Sequence, residues 1–382
     1  MLISLKECWT SIYFIAQLLI NCYLVSFGVL RRQLDKTINK MAHIKFLIPF
    51  ILIILVSCSK NNQDIENSVN SKQGSWLVDV NDIIHLDAEK DPIESVDSPE
   101  FVEISSSLLD DEEIVLSYLH NDVVHVYPMS VMEAHEIVND SIDDYFFAIT
   151  HCPLTGSSIA WNRSINGEPS SFGVSGKLYK ENLIPYDRNS GSNWSQMLSL
   201  CINGSNIGEL AQTTNLVRTK FSTIKRSFPE ALVLNHESCD SDGCVRNLKS
   251  VGDEPVGGAD SDINDAEKYF GIVDGERATL IPLSKMKEEI TVLHILAHQK
   301  RNIVVSSKNM SFMVVFNIGT SSFTAIQDSL PIVMKDGLGN YYDLFGRIVS
   351  GPELGNRLIS PTSYHANTFA WKDIFKSIEI IE

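Results

Sequence analysis

The chain has 382 residues, 44% hydrophobic and 21% charged, with 31 Lys and Arg against 48 Asp and Glu and a formal net charge of −17. That length predicts about two domains, and the composition excludes a disordered, collagen-like or disulfide-dense chain. A body this acidic excludes nucleic-acid binding through a broad basic face, and beyond residue 57 no apolar run approaches the roughly 20 residues of a membrane-spanning helix.

Two apolar runs open the chain, at 8–30 and 46–57. The second is the more informative. Met41-Ala-His-Ile-Lys45 is a short positive segment, the apolar run that follows has signal-peptide length, and it stops at Leu55-Val56-Ser57-Cys58, which resembles a bacterial lipobox. The expectation is a lipoprotein signal over 41–57, with residues 1–40 an upstream extension outside the mature protein. Cys58 is then the lipidated N-terminus, held to the membrane by acyl chains such as palmitate. The rival reading makes 8–30 a genuine span. Residues 58–75 are polar and form a tether; at roughly 5–6 Å × √n, Lys60 to Ser75 reaches about 20–25 Å. Ser59 in place of Asp points to the outer membrane in a diderm host, so the folded body is expected in the cell envelope, outside the cytoplasm.

Residues 76–112 are a lead-in with short apolar segments. The rest reads as two related lobes, 113–237 and 269–382, joined by an acidic, Gly-rich loop over 238–268. At offsets of 147–155 the chain answers itself in order: Val126-Tyr127-Pro128 with Leu280-Ile281-Pro282, Ile159-Ala160-Trp161-Asn162 with Val314-Val315-Phe316-Asn317, Gly191 and Trp194 with Gly339 and Tyr342, and Gly204 and Gly208 with Gly351 and Gly355. This alignment sets Lys335 opposite Asp187. Most segments alternate with period two and carry β-branched or aromatic residues, as in 114–127, 145–150, 157–162, 303–306 and 313–317. Short helices are expected at Met129 to Val138, its counterpart Leu283 to Ile290, Phe221 to Phe228, and Phe369 to Phe375. The fold class is α+β, strand-dominated, with two tandem pseudo-duplicated lobes.

Special residues concentrate in the first lobe. Thr150-His151-Cys152-Pro153-Leu154-Thr155-Gly156 should turn sharply, because Pro fixes φ and Gly permits φ > 0. Cys152 at such a strand end is a candidate nucleophile, redox group or soft-metal ligand; the bland alternative is a small buried hydrophobe. His135, at the end of the 129–138 helix, is a candidate base or metal ligand beside it, or simply a loop hydrogen-bonder. The segment Tyr186 to Gln196 reads as a turn around Gly191. As function, Asp187, Arg188 and Gln196 would present polar groups to a ligand beside Trp194. Cys239 and Cys244, with four residues between them in the acidic loop, are the candidate disulfide in an oxidising compartment, although the four cysteines of the body allow three pairings. His294 and His298 have the spacing of two ligands on a helix but lie where a strand or loop is expected. The acidic clusters at 240–243 and 260–265 lack the Gly and Glu of a calcium loop.

The strings HEIVND (135–140), CPLTGSSIAW (152–161), FGVSGKLYKENLIPYDRNSGSNWSQ (172–196) and FPEALVL (228–234) resemble the bacterial and archaeal family known as domain of unknown function 3179 (DUF3179). The second lobe fits through GPELGNRL (351–358) and Phe369-Ala370-Trp371. The resemblance spans about residues 80–382. It implies a fold group, leaves the reaction open, and places His135, Cys152, Asp187, Arg188 and Trp194 around one site. Many members carry Cys where this chain has Thr155, so a two-Cys mechanism is unavailable here. Two readings of function follow: a thiol and imidazole site at Cys152 and His135, with copper or another soft metal as a candidate occupant, or a non-catalytic extracytoplasmic module that binds a small molecule or protein.

Overall fold

The computed structural model describes residues 75–86, 89–235 and 267–381. The leader, Cys58, most of the tether and the Cys239/Cys244 pair lie outside the described residues, as does nearly all of the acidic loop. The described residues fall within one compact unit. Strands dominate, with three seven-residue helices among the described residues: α1 (Met129–His135), α2 (Phe221–Ser227) and α3 (Thr368–Ile374). No described helix is long and apolar enough to cross a membrane.

The first half begins with a hairpin of strands Ile114–His120 and Val123–Pro128, paired antiparallel. Strand Leu216–Lys220 joins one edge antiparallel, and Leu232–Leu234 joins the other parallel, across α2. A second sheet holds Ile137–Ile142, Tyr145–Cys152 and Ser157–Asn162, with Thr213–Thr214 at its edge. The third is a meander of Phe172–Tyr179, Asn182–Asp187, Asn193–Ser195 and Leu200–Asn203. The lead-in adds an edge strand to two of these sheets: Ile83–His85 pairs with Phe172–Tyr179, and Phe101–Glu103 with Leu232–Leu234.

Residues 268–380 run through the same order. Lys268–Asp274 and Arg277–Pro282 form a hairpin, with Ser363–Asn367 antiparallel on one edge and Ser377–Ile380 parallel on the other, across α3. Strands Thr291–Ala297, Lys300–Ser307 and Phe312–Asn317 form the second sheet, and the strands of 323–350 the meander.

Packing crosses between the halves. The first-half meander, with Phe172, Ile184 and Trp194, packs in one core with Tyr269, Leu280 and Trp371 of the second half. Reciprocally, Val115, Val217 and Phe221 of the first half share a core with Val314, Met334 and Phe345 of the second. The outer face of each hairpin sheet packs instead on the second sheet of its own half: Tyr118, Tyr127 and Phe147 in one case, Phe270, Val304 and Val315 in the other. A sheet buried on both faces has no solvent side, which is why its strands read as near-continuous apolar runs.

Two helix expectations are corrected. The first helix ends at His135: Glu136 takes φ +61°, and the chain re-enters a strand at Ile137. The expected 283–290 helix is only a single 3₁₀ turn, Leu283–Lys285. Residues 287–289 are charged and exposed, and only Ile290 is buried, so there is no apolar face for a helix to bury.

Candidate functional site

Strand Tyr145–Cys152 carries two faces. Phe147 and Ile149 enter the core beneath the first hairpin sheet, and His151 shares their parity. Ala148 and Cys152 enter the core shared with the second half. Cys152 is therefore 2% exposed, as the reading of a small buried hydrophobe beside a turn has it. Its Sγ donates to Glu181 O at 3.6 Å, and burial pushes the thiol pKa up. A protonated, enclosed thiol is a poor nucleophile and a poor metal ligand. His135 bonds Glu94 O through Nδ1 at 2.8 Å, and the two side chains share no hydrogen bond among the described residues. Among the described residues no group of three His, Cys, Asp or Glu side chains gathers for a metal ion.

The turn after Cys152 is closed by Gly156 (φ +66°), whose N–H donates to Cys152 O at 2.8 Å. Beside it lies a buried polar knot. Gln196 accepts from Ser157 Oγ at 2.6 Å and Asn182 Nδ2 at 2.8 Å, and donates to Thr150 Oγ1 at 3.1 Å and Ser157 O at 3.2 Å. Thr155 and Ser157 hydroxyls lie 2.8 Å apart, with Asn182 donating to Thr155 at 3.1 Å. Gln196, Thr150, Thr155, Ser157 and Asn182 are all fully buried. Such a network tolerates burial because every member finds a partner.

The 186–196 segment divides its residues between two structural tasks. Asp187, 1% exposed, accepts from Ser190 N at 2.8 Å, Ser190 Oγ at 2.7 Å and the Trp194 indole N–H at 3.1 Å, and so closes the turn at Gly191 (φ +72°). In the second half Asp336 accepts from Leu338 N, Asn340 N and Tyr342 OH in the same way. Asp336 is one residue on from the Lys335 that the sequence alignment sets opposite Asp187. Burial opposes ionisation of Asp336, but its hydrogen bonds outweigh burial and lower its pKa. Arg188 turns the other way and fastens the lead-in. It donates to Asp91 Oδ1 and Ser95 Oγ at 3.0 Å each and to Asp97 Oδ2 at 2.9 Å, while Tyr186 OH donates to Asp91 Oδ2 at 2.5 Å. These partners hold the guanidinium pKa above its usual value although burial opposes it. Gly173 makes room: a Cβ there would lie 2.2 Å from Asp91 Oδ1.

The structure therefore does not gather His135, Cys152, Asp187, Arg188 and Trp194 into one hydrogen-bonded site: Asp187 and Trp194 bond each other at the turn, while His135, Cys152 and Arg188 each serve a separate local network. A cluster that sequence reasoning passed over is basic. Arg218 pairs in register with Leu116, whose side chain enters the same core as Phe147 and Ile149, so Arg218 and His151 share the gap between those two sheets. Among the described residues the Arg218 guanidinium has no ion-pair partner or hydrogen bond. Burial lowers its pKa, and Glu133 is the one charge that opposes this. Burial and then Arg218 depress His151 to about 4 and His365 to about 3, and both His365 ring nitrogens are enclosed without a hydrogen-bond partner. The available signal was an Arg in the middle of the strand sequence Leu-Val-Arg-Thr-Lys.

Residues 90–377 match the family described as Protein of unknown function (DUF3179), and the chain belongs to that family. No curated protein and no solved structure matches it.

Proposed function

We propose that this chain is an envelope-anchored, internally duplicated module that binds a small molecule or protein partner and performs no thiol chemistry of its own. One observation carries the reading: the side chains that make the motifs conspicuous are spent on the fold. The Cys152 thiol is sealed in a core, Asp187 and Gln196 are buried with their hydrogen bonds made, and the Arg188 fork is occupied by Asp91, Ser95 and Asp97. Catalysis needs a reactive group that a substrate can reach. The duplication is supported by the shared strand order of 114–234 and 268–380 and by the matched turns at Asp187 and Asp336. The anchor is supported by the Met41 to Cys58 pattern alone.

The test uses the full chain. Acyl labelling is expected to vanish in Cys58→Ala, and labelling retained in that variant would refute the anchor. Cys152 is expected to resist alkylation in the native protein and to react once denatured, with Cys152→Ala folding normally and keeping its cellular phenotype. Rapid native alkylation, together with loss of a measurable reaction in Cys152→Ala, would restore the Cys152 and His135 reading, with copper or a similar metal as its occupant.

A further inference from the structure

Strand Thr291–Ala297 is the outer strand of its three-stranded sheet and reads TVLHILA, with no charged residue and no Pro. Leu293 and Leu296, on opposite faces of it, are 47% and 63% exposed. Its pairing with Lys300–Ser307 closes through a two-residue turn, His298 and Gln299, both at positive φ, as in a type I′ hairpin. Such a turn closes on a hydrogen-bonded pair, here Ala297 with Lys300, and bonded pairs then alternate along the ladder. Val292, His294 and Leu296 therefore turn their backbone N–H and C=O groups away from the sheet. Among the described residues those groups make no backbone hydrogen bond to any other segment.

The first half shows such an edge covered. Strand Ile137–Ile142 is the outer strand of the second sheet there, and its Asn139 accepts from Phe172 N at 2.8 Å as His294 accepts from Phe323 N at 3.3 Å. The lead-in takes the outward groups of that strand: Val96 N donates to Ile137 O at 2.9 Å, and Val96 O accepts from Asn139 N at 2.8 Å. The edge at 291–297 has no such strap among the described residues. It also lacks the charges, Pro or bulge that commonly keep an open edge from pairing.

A second copy of the same strand matches this edge. Set antiparallel about a two-fold axis at His294, Val292 stands opposite Leu296 of the second copy and Leu293 opposite its Ile295, so apolar meets apolar on both faces. The outward groups of 292, 294 and 296 then face one another and bond in pairs. Charge follows the same symmetry. Glu289 lies just before the strand, and Lys300 and Arg301 lie just beyond its turn, all exposed; the antiparallel arrangement sets the acidic end of each copy beside the basic end of the other. The chain's own 238–268 stretch is rich in Asp and Gly, which are depleted from strands, and matches the edge less well.

We propose that this chain forms a two-fold dimer by antiparallel pairing of Thr291–Ala297 with the same strand of a second copy. The dimer goes beyond the reading of the chain as a binding module and depends neither on the anchor nor on the state of Cys152.

The experiment combines sedimentation equilibrium of the full chain, in a detergent of matched density, with amide exchange. A single strand edge is a small interface, so monomer and dimer are expected to interconvert in the micromolar range, with the amides of Val292, His294 and Leu296 exchanging more slowly as dimer forms. Leu296→Lys, at a site already exposed, should leave the fold intact and raise the dissociation constant about tenfold or more. Leu354→Lys, at a leucine 67% exposed elsewhere, should leave it unchanged. Oxidised His294→Cys should give a covalent dimer that the parent does not, because bonded partners across the axis stand about 5.5 Å apart at Cα, within disulfide reach. The proposal is overturned by a chain that stays monomeric up to about 100 μM or by a dimer that Leu296→Lys does not weaken. Slow exchange of the three amides in the monomer would also overturn it, since residues 238–268 would then already cover the edge.

Discussion

His151 and His365 are imidazoles that the fold keeps neutral, and that has a measurable consequence. Burial and the Arg218 charge depress His151 to about 4 from 6.5. Above pH 6.5 neither the folded nor the unfolded chain protonates it, so stability is unaffected there. As pH falls below 6.5 the unfolded chain takes up a proton that the folded chain refuses, and stability drops until about pH 4, where the loss levels off. The full effect is about 3 kcal/mol for this residue. Denaturant melts at pH 7 and pH 5 should show a steep loss in the parent and a shallower one in His151→Gln; equal losses would show that the carboxylates alone are responsible. The same reasoning shows what could be read from single residues. The sequence marks Cys152, Asp187 and Arg188 as unusual, and they are, but a turn closed by a buried carboxylate and a ligand-binding carboxylate use the same residue types. Only the positions of Ser190, Trp194 and Asp91 around them decide which is present. The basic cluster was illegible for the opposite reason: Arg218, His151 and His365 are distant in the chain and meet only through sheet packing.

At the scale of elements, the Arg188 staple predicts that residues 89–97 come loose when either side of the contact is altered. Arg188→Ala removes the donors, and Gly173→Ala drives a methyl into Asp91, Tyr186 and Arg188. Both should raise amide exchange over 89–97 selectively and cost about 1–2 kcal/mol, since the ion pairs are partly solvated. Unchanged exchange in both variants would mean that the other contacts of the segment hold it without the staple: Asn139 to Asp97 Oδ1 at 2.7 Å, His135 to Glu94 O at 2.8 Å, and the backbone bonds of Asp91 and Val96 to Val174 O and Ile137 O. Close packing makes a second case at α3. Gly271 lies under Trp371, and a Cβ there would come within 2.3 Å of the indole. Gly271→Ala should therefore cost about 1–3 kcal/mol through displacement of a fully buried ring, visible as a lower midpoint and altered tryptophan emission. Helices α2 and α3 were readable within a residue or so because each buries an apolar cluster in a short window. The 283–290 helix failed because its Met286 and Ile290 flank a run of exposed charge, and α1 was overextended because no sequence signal marks Glu136 as left-handed.

Across the whole molecule, the strand-rich class and the two-part order are visible in period-two alternation and in the recurring Pro, Gly and aromatic positions. The partner of each apolar face is not. Hydrophobic patterning says that Trp371 and Ile184 are buried, never that they are buried together, and the two boundaries at 237 and 269 suggest lobes with private cores. Two of the four cores instead draw on both halves. Each half alone would expose Phe172, Ile184 and Trp194, or Phe345 and Met334, to water, at a cost of roughly 1.5–3 kcal/mol for each large side chain left uncovered. That sum is of the same order as the marginal stability of a domain, about 5–15 kcal/mol, so the halves should fold only together. A chain cleaved within 238–268 is then expected to hold together as a complex that melts in one transition. Residues 76–237 and 269–382 expressed separately should lack cooperative melting until they are mixed. Two independent transitions, or a cooperative melt of either fragment alone, would mean that the crossing cores contribute far less than their burial implies.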